Sequence, residues 1–165
     1  MRKTKQLLMI VFVMFTVMML TSCIEGSGGS SGTSQDLSAV KARFRRLMND
    51  YRVEHGKEAF GEHWVFETVA QDWADYQASV GEYLAHENVQ QRYNKAERLM
   101  GSQIGMMGEN CCYVPAGYDD PAFAAYDALI NSPGHLENIM FFTVSGVGVS
   151  RDRNGNYYFE QFFAL

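Results

Sequence analysis

Leu84-Ala85-His86-Glu87-Asn88, Gly108-Glu109-Asn110 and Asn131-Ser132-Pro133-Gly134-His135-Leu136-Glu137-Asn138-Ile139 are the three stretches on which the reading of this 165-residue chain turns. Together they hold two histidines and one glutamate. Two neutral imidazoles and a carboxylate make a sufficient ligand set for a divalent metal, with a fourth position left to water, as in catalytic zinc sites. A zinc-bound water with a pKa of about 7 is a nucleophile. Against hydrolysis, these residues lack the helical i, i+4 spacing of the common zinc protease motif, and no separate general base stands out. The plainer alternative has the two histidines and Glu109 hydrogen-bonding one another to hold a cleft together.

Outward from these blocks the chain reads as helices followed by mixed helices and strands. Leu37, Val40, Phe44, Leu47, Met48 and Tyr51 fall on one helical stripe, with Asp36 or Ser38 to cap it and Gly56 to end it. Phe66, Val69, Ala70, Trp73, Gln77 and Val80 make a second stripe closed by Gly81. Both aromatic stripes are read as core packing. Residues 89–103 are mildly helical, with Tyr93, Ala96, Leu99 and Met100 as a thin apolar face. Met107 to Val114 is a short strand, and Asp119 or Asp120 with Pro121 starts a helix that runs towards Asn131. Ser132-Pro133 starts the short helix that carries His135. At the C-terminus, Thr143 to Ser150 and Tyr157 to Phe163 flank Asp152-Arg-Asn154-Gly155-Asn, where Asn-Gly supplies the positive φ values of a tight hairpin turn. This order of elements predicts an α+β layer fold.

With Asn49-Asp-Tyr51-Arg52 and Ala70-Gln-Asp-Trp73-Ala74 upstream and Gly146-Val-Gly-Val149 downstream, the three blocks resemble the CAP family (cysteine-rich secretory, antigen 5, pathogenesis-related 1) in its bacterial SCP-like form. The resemblance covers about Leu37 to Leu165. It implies an α-β-α sandwich around a small, mostly antiparallel sheet. It also implies a cleft lined by two histidines and two acids that holds a divalent cation in some members. Carried over block by block, His86 is the first histidine, Glu109 the acid of Gly-Glu-Asn, and His135 the second histidine; these three are the candidate metal ligands, with zinc the implied ion. The second acid is missing, because Ala128-Leu-Ile-Asn-Ser132 contains none. Asn110 and Asn138 are assigned structural work, and His55 and His63 are read as solvated or capping residues.

The N-terminus is a targeting segment. Arg2, Lys3 and Lys5 precede an uncharged run from Leu7 to Leu20, shorter than the roughly 18 to 20 residues of a spanning helix. Leu20-Thr-Ser-Cys23 resembles the bacterial lipoprotein cleavage motif. The expected organisation is therefore a signal peptide over 1–22, a lipidated Cys23 with a Gly/Ser tether over 23–35, and one CAP domain over 36–165. Two or more acyl chains on Cys23 give a durable membrane anchor. Without the basic residues of the signal the chain has 11 Lys and Arg against 19 Asp and Glu, a formal charge of −8. Such an acidic surface argues against nucleic acid as a partner. Cys111 and Cys112 are adjacent, too close for an unstrained disulfide, and read as separately facing thiols, one turned inward and one outward.

The functional expectation is a lipid-anchored, extracytoplasmic, monomeric binding module for a small apolar molecule, a glycan or a protein partner. A metal-dependent hydrolase of peptide or envelope polymer is the alternative, and a structural envelope protein with a vestigial cleft is a third.

Overall fold

The computed structural model describes residues 36–165, so the signal segment, Cys23 and the tether fall outside the described residues. Helix α1 (Leu37–Glu54) starts where the Asp36 side chain accepts from Ser38 N at 2.9 Å, and it buries Val40, Phe44 and Met48. Helix α2 (Trp64–Val80) is capped by the His63 ring, which accepts from Val65 N, and ends on Gly81 at φ 73°. There follow α3 (Val89–Met100), β1 (Met107–Val114), α4 (Pro121–Ile130, capped by Asp120), α5 (Pro133–Phe141), β2 (Val144–Arg151) and β3 (Tyr157–Ala164).

The three strands form an antiparallel sheet in the order β1-β3-β2. Helices α2 and α3 cover one face and α1, α4 and α5 the other, giving the α-β-α sandwich. Strand β3 lies in the centre and all eight of its residues are buried, so it carries large side chains on both faces. Phe159 and Phe163 pack with Val147 and Val149 against Phe44 and Met48, whereas Phe162 and Ala164 pack against Val65, Phe66, Val69 and Ala70.

The Gly146-Val-Gly-Val149 pattern has a steric cause. A Cβ on Gly146 would lie 2.1 Å from the Phe66 carbonyl carbon, and one on Gly148 would lie 2.2 Å from the Ala70 carbonyl oxygen. The helix backbone therefore rests directly on the strand backbone. The alternating valines point the other way, into the α1 side of the core.

Two expectations change. Cys111 and Cys112 are both free and do face opposite sides of β1, but both are buried, because each face of the sheet is covered by helices. The β2–β3 connection has its one positive φ at Gly155 (91°); Asn154 stays at negative φ. Asp152 replaces the tight Asn-Gly turn by organising a five-residue loop. Its Oδ1 accepts from Asn154 N and Asn156 N, both at 2.9 Å, and its Oδ2 from Asn156 Nδ2 at 2.8 Å. Among the described residues, no helix is long and apolar enough to cross a membrane.

Gly148→Ala should destabilise the domain by about 3 kcal/mol, the upper end of overpacking costs, because the clash is with backbone. Denaturant unfolding measures this. Gly105→Ala, where an added Cβ meets nothing within 4 Å, is the matched control.

Candidate functional site

The cleft is assembled from three elements, each held to the next by buried and part-buried hydrogen bonds. The first is the turn 84–88, in which Ala85 (φ 48°) and Asn88 (φ 56°) both adopt left-handed backbone, unusual for Ala and costly without support. That support comes from the helices around it. Trp73 Nε1 on α2 donates to Ala85 O at 2.9 Å, and Leu84 N donates to Gln77 Oε1 at 2.9 Å. Arg92 Nη1 on α3 donates to Glu87 O at 2.6 Å, and the Cys111 thiol on β1 donates to Ala85 O at 3.2 Å. The turn thus presents His86 at a fixed place, its ring half exposed.

The second element is β1, which places the Glu109 carboxylate beneath that ring. His86 Nδ1 donates to Glu109 Oε1 at 2.8 Å. Arg92 closes the same carboxylate in a two-pronged pair, Nε to Oε2 at 2.8 Å and Nη2 to Oε1 at 2.5 Å, while its guanidinium lies 3.9 Å over the Trp73 ring. Both ionic side chains are buried, at 7% and 2% exposure, so each depends on the other for its solvation.

The third element is α5. Asn110 Nδ2 donates to His135 O at 3.0 Å, and Asn138 Nδ2 donates to Asn110 Oδ1 at 2.9 Å and to Glu109 O at 3.3 Å. From α1, the buried Arg52 donates to Glu58 O at 2.8 Å and, through Nη1, to Ile139 O. These bonds set His135 with its ring centroid 6.4 Å from that of His86. His135 Nδ1 is buried and has no hydrogen-bond partner. Burial, and then the neighbouring His86, lower the His135 pKa from its ordinary value, which favours the neutral imidazole a metal requires.

The sequence-predicted residues therefore converge: His86 and Glu109 touch, and His135 lies across from them. Asn110 and Asn138 have the structural roles assigned to them. His63 caps α2, and His55 stacks on Tyr51 at 4.0 Å. Three residues of the site were not picked out. On α3 the sequence pattern marks Tyr93, Ala96, Leu99 and Met100 as the apolar face, which hides Arg92. The buried pair on that helix is instead Arg92 and Ala96, and Leu99 is exposed. The i, i+4 spacing of a cation with that alanine was the available signal. Cys111 forms with His86 and Glu109 a group whose donor atoms all lie within 4.8 Å of one another. Burial, and then Glu160 and Glu109, push its thiol pKa far up, so it is a protonated, unreactive thiol on its own.

Glu160 is the third. It is fully buried opposite Cys111 in the β1–β3 register, and neither carboxyl oxygen has a hydrogen-bond partner. Burial, and then Glu109, hold its pKa well above the ordinary carboxyl range.

Two stability predictions follow from these burials. Arg92→Met, which strands the Glu109 charge, should cost about 3–5 kcal/mol in denaturant unfolding and raise amide exchange across residues 84–88. For Glu160, the folded state holds its proton to higher pH than the unfolded state, so the carboxyl loses stability as pH rises from the unfolded pKa of about 4.3. Glu160→Gln should therefore stabilise the protein at pH 7, with the gain vanishing towards pH 4.

The family model described as CAP, the cysteine-rich secretory protein family, matches residues 45–164. No curated protein matches the sequence. Among solved structures, an outer surface protein of Borrelia burgdorferi superposes with a TM-score of 0.65 at 14% identity, over 78% of this chain and 94% of that one. An extracellular protein of Bacillus anthracis containing an SCP domain gives 0.61 at 21% identity, over 84% of this chain and 45% of that one. A cysteine-rich secretory protein of Staphylococcus aureus gives 0.58 at 14% identity, over 79% and 39%. At these identities the structural likeness is one of fold.

Proposed function

This chain belongs to the CAP, or cysteine-rich secretory protein, family, and from that premise we propose that it is a lipid-anchored, extracytoplasmic binding module whose cleft takes a divalent metal through His86 and His135, with Glu109 beside them. The observation that carries this reading is the buried, unpartnered Nδ1 of His135 next to His86. A buried polar nitrogen without a partner costs free energy unless a ligand repays it. The donor set suits zinc: two imidazoles on one tetrahedral ion at bonds of about 2.0 Å have ring centroids about 5 Å apart, and these lie 6.4 Å apart, so the two rings close by about 1 Å on binding.

When bound, the ion supplies a fixed positive charge and Lewis acidity at an otherwise acidic surface. The chain's own residues do the positioning. Glu109 fixes the His86 tautomer through Nδ1, the carboxylate–histidine arrangement that orients metal ligands. Arg92 keeps that carboxylate in place, and the Asn110–Asn138 pair ties the His135 helix to β1. Because both Glu109 oxygens accept from Arg92, this carboxylate is poorly placed to act as a general base. That favours binding over hydrolysis.

The surface location is supported by the signal and Cys23 motif and by the resemblance to proteins named as an outer surface protein and as extracellular. There the module would meet a small apolar molecule, a glycan or a protein partner.

Calorimetric zinc titration of the metal-stripped chain tests the cleft. The expected result is one-site binding that His86→Ala/His135→Ala abolishes while near-UV circular dichroism stays native. Equal binding by both proteins would send the search for a ligand away from the histidines.

A further inference from the structure

We propose that His86 Nδ1, Glu109 and a Cys111 thiolate form a metal position of their own on the Glu109 side of the His86 ring, one that selects zinc, cadmium or cobalt over magnesium and calcium. The inference rests on the metal-binding reading above but moves the ion: with the metal on His86 Nδ1 the imidazole proton sits on Nε2, so His135 is not a ligand of the same ion.

The geometry comes first. Cys111 Sγ lies 3.6 Å from His86 Nδ1 and 3.9 Å from Glu109 Oε1, and those two atoms are 2.8 Å apart. Donors around one tetrahedral zinc, with bonds of about 2.05 Å to nitrogen, 2.1 Å to oxygen and 2.3 Å to sulfur, lie about 3.4 to 3.6 Å from one another. The nitrogen–sulfur edge already has that length; the other two edges depart from it in opposite directions. The three separations are compatible with all three bond lengths at once, and because His86 Nδ1 now points along its bond to Glu109 Oε1, the exposed His86 ring turns to direct that nitrogen at the ion. The three donors come from two rigid sources, β1 and the stapled turn 84–88, so the spacing does not depend on a mobile loop.

Chemistry supports the same assignment. The stretch Ala128-Leu-Ile-Asn-Ser132 supplies no second acid to the cleft, and a thiolate restores the missing negative charge. It also changes the preference, since thiolate favours zinc and softer ions whereas carboxylate and water suit magnesium and calcium. Glu109 keeps its bonds to Arg92, because a carboxylate has about four acceptor sites and the ion takes only the place of the His86 N–H.

The proton balance is simple. The metal replaces the thiol proton, Cys–SH and M²⁺ giving Cys–S–M⁺ and H⁺, and the proton leaves to solvent. The imidazole proton moves from Nδ1 to Nε2 through solvent at the exposed ring. Ala85 O loses the thiol and keeps the Trp73 indole N–H at 2.9 Å. Cys112, on the opposite face of β1 within the apolar core, serves as an internal control.

Cobalt(II) titration of the reduced, metal-stripped chain tests this, read by absorbance. A thiolate-to-cobalt charge-transfer band in the near ultraviolet is expected in the wild-type chain and in Cys112→Ser, and absent in Cys111→Ser, which should bind zinc at least about tenfold more weakly. The wild-type spectrum depends on no variant folding: cobalt binding without that band overturns the Cys111 assignment and leaves the histidine cleft standing. A band that survives Cys111→Ser overturns it as well. Failure of the wild type to bind cobalt or zinc overturns both readings. A band that survives His135→Ala and disappears in Cys111→Ser supports the thiolate site and removes His135 from the ligand set.

Discussion

The approach of α2 to β2 at Gly146 and Gly148 is the contact on which the rest of the domain depends. Only hydrogen atoms separate the helix backbone at Phe66 and Ala70 from the strand, so the height and rotation of α2 over the sheet are fixed by sterics. A helix set that low also carries two side chains to the cleft. Trp73 and Gln77 both reach the turn 84–88 from α2, bonding Ala85 O and Leu84 N, and so hold the turn in which Ala85 takes a backbone conformation its side chain disfavours. The position of His86 is thus a consequence of two glycines about sixty residues downstream.

Electrostatics then decides what lies under that histidine. A buried carboxylate with one partner would be a liability. Glu109 instead takes two bonds from Arg92 and one from His86, and Arg92 spends its remaining prong on Glu87 O while its plane rests on Trp73. Every member of this network fixes another, so the cleft is preorganised without any bound ion. Glu160 is the contrast on the same side of the sheet: with no hydrogen-bond partner, it is kept neutral by burial. The network therefore concentrates its charge on Glu109, next to the two imidazoles.

Much of this was readable from local pattern. The stripes beginning at Leu37 and Phe66 gave their helices, Met107 to Val114 gave β1 with its observed ends, and the block resemblance brought His86, Glu109 and His135 to one cleft. The errors have a common origin. Arg92 was overlooked because a buried cation breaks the apolar periodicity by which helix faces are found, and only its partner on another element explains its burial. Asn154-Gly155 suggested a tight turn because dipeptide preference carries no knowledge of the Asp152 carboxylate, which captures the loop from outside the dipeptide. Cys112 was expected on one of two unequal faces, but whether a strand has a solvent face depends on helices from elsewhere in the chain.

The sequence by itself determined the elements, the family and the blocks that carry His86, Glu109 and His135, since hydrophobic period, capping residues and block wording are local and survive without coordinates. Only the tertiary structure decided that Glu109 is committed to Arg92, that His135 keeps a buried nitrogen without a partner, and that the Cys111 sulfur stands within ligand distance of His86. Those facts are separations between atoms on different elements, set by how a helix lies on a sheet, and no spacing along the chain encodes them.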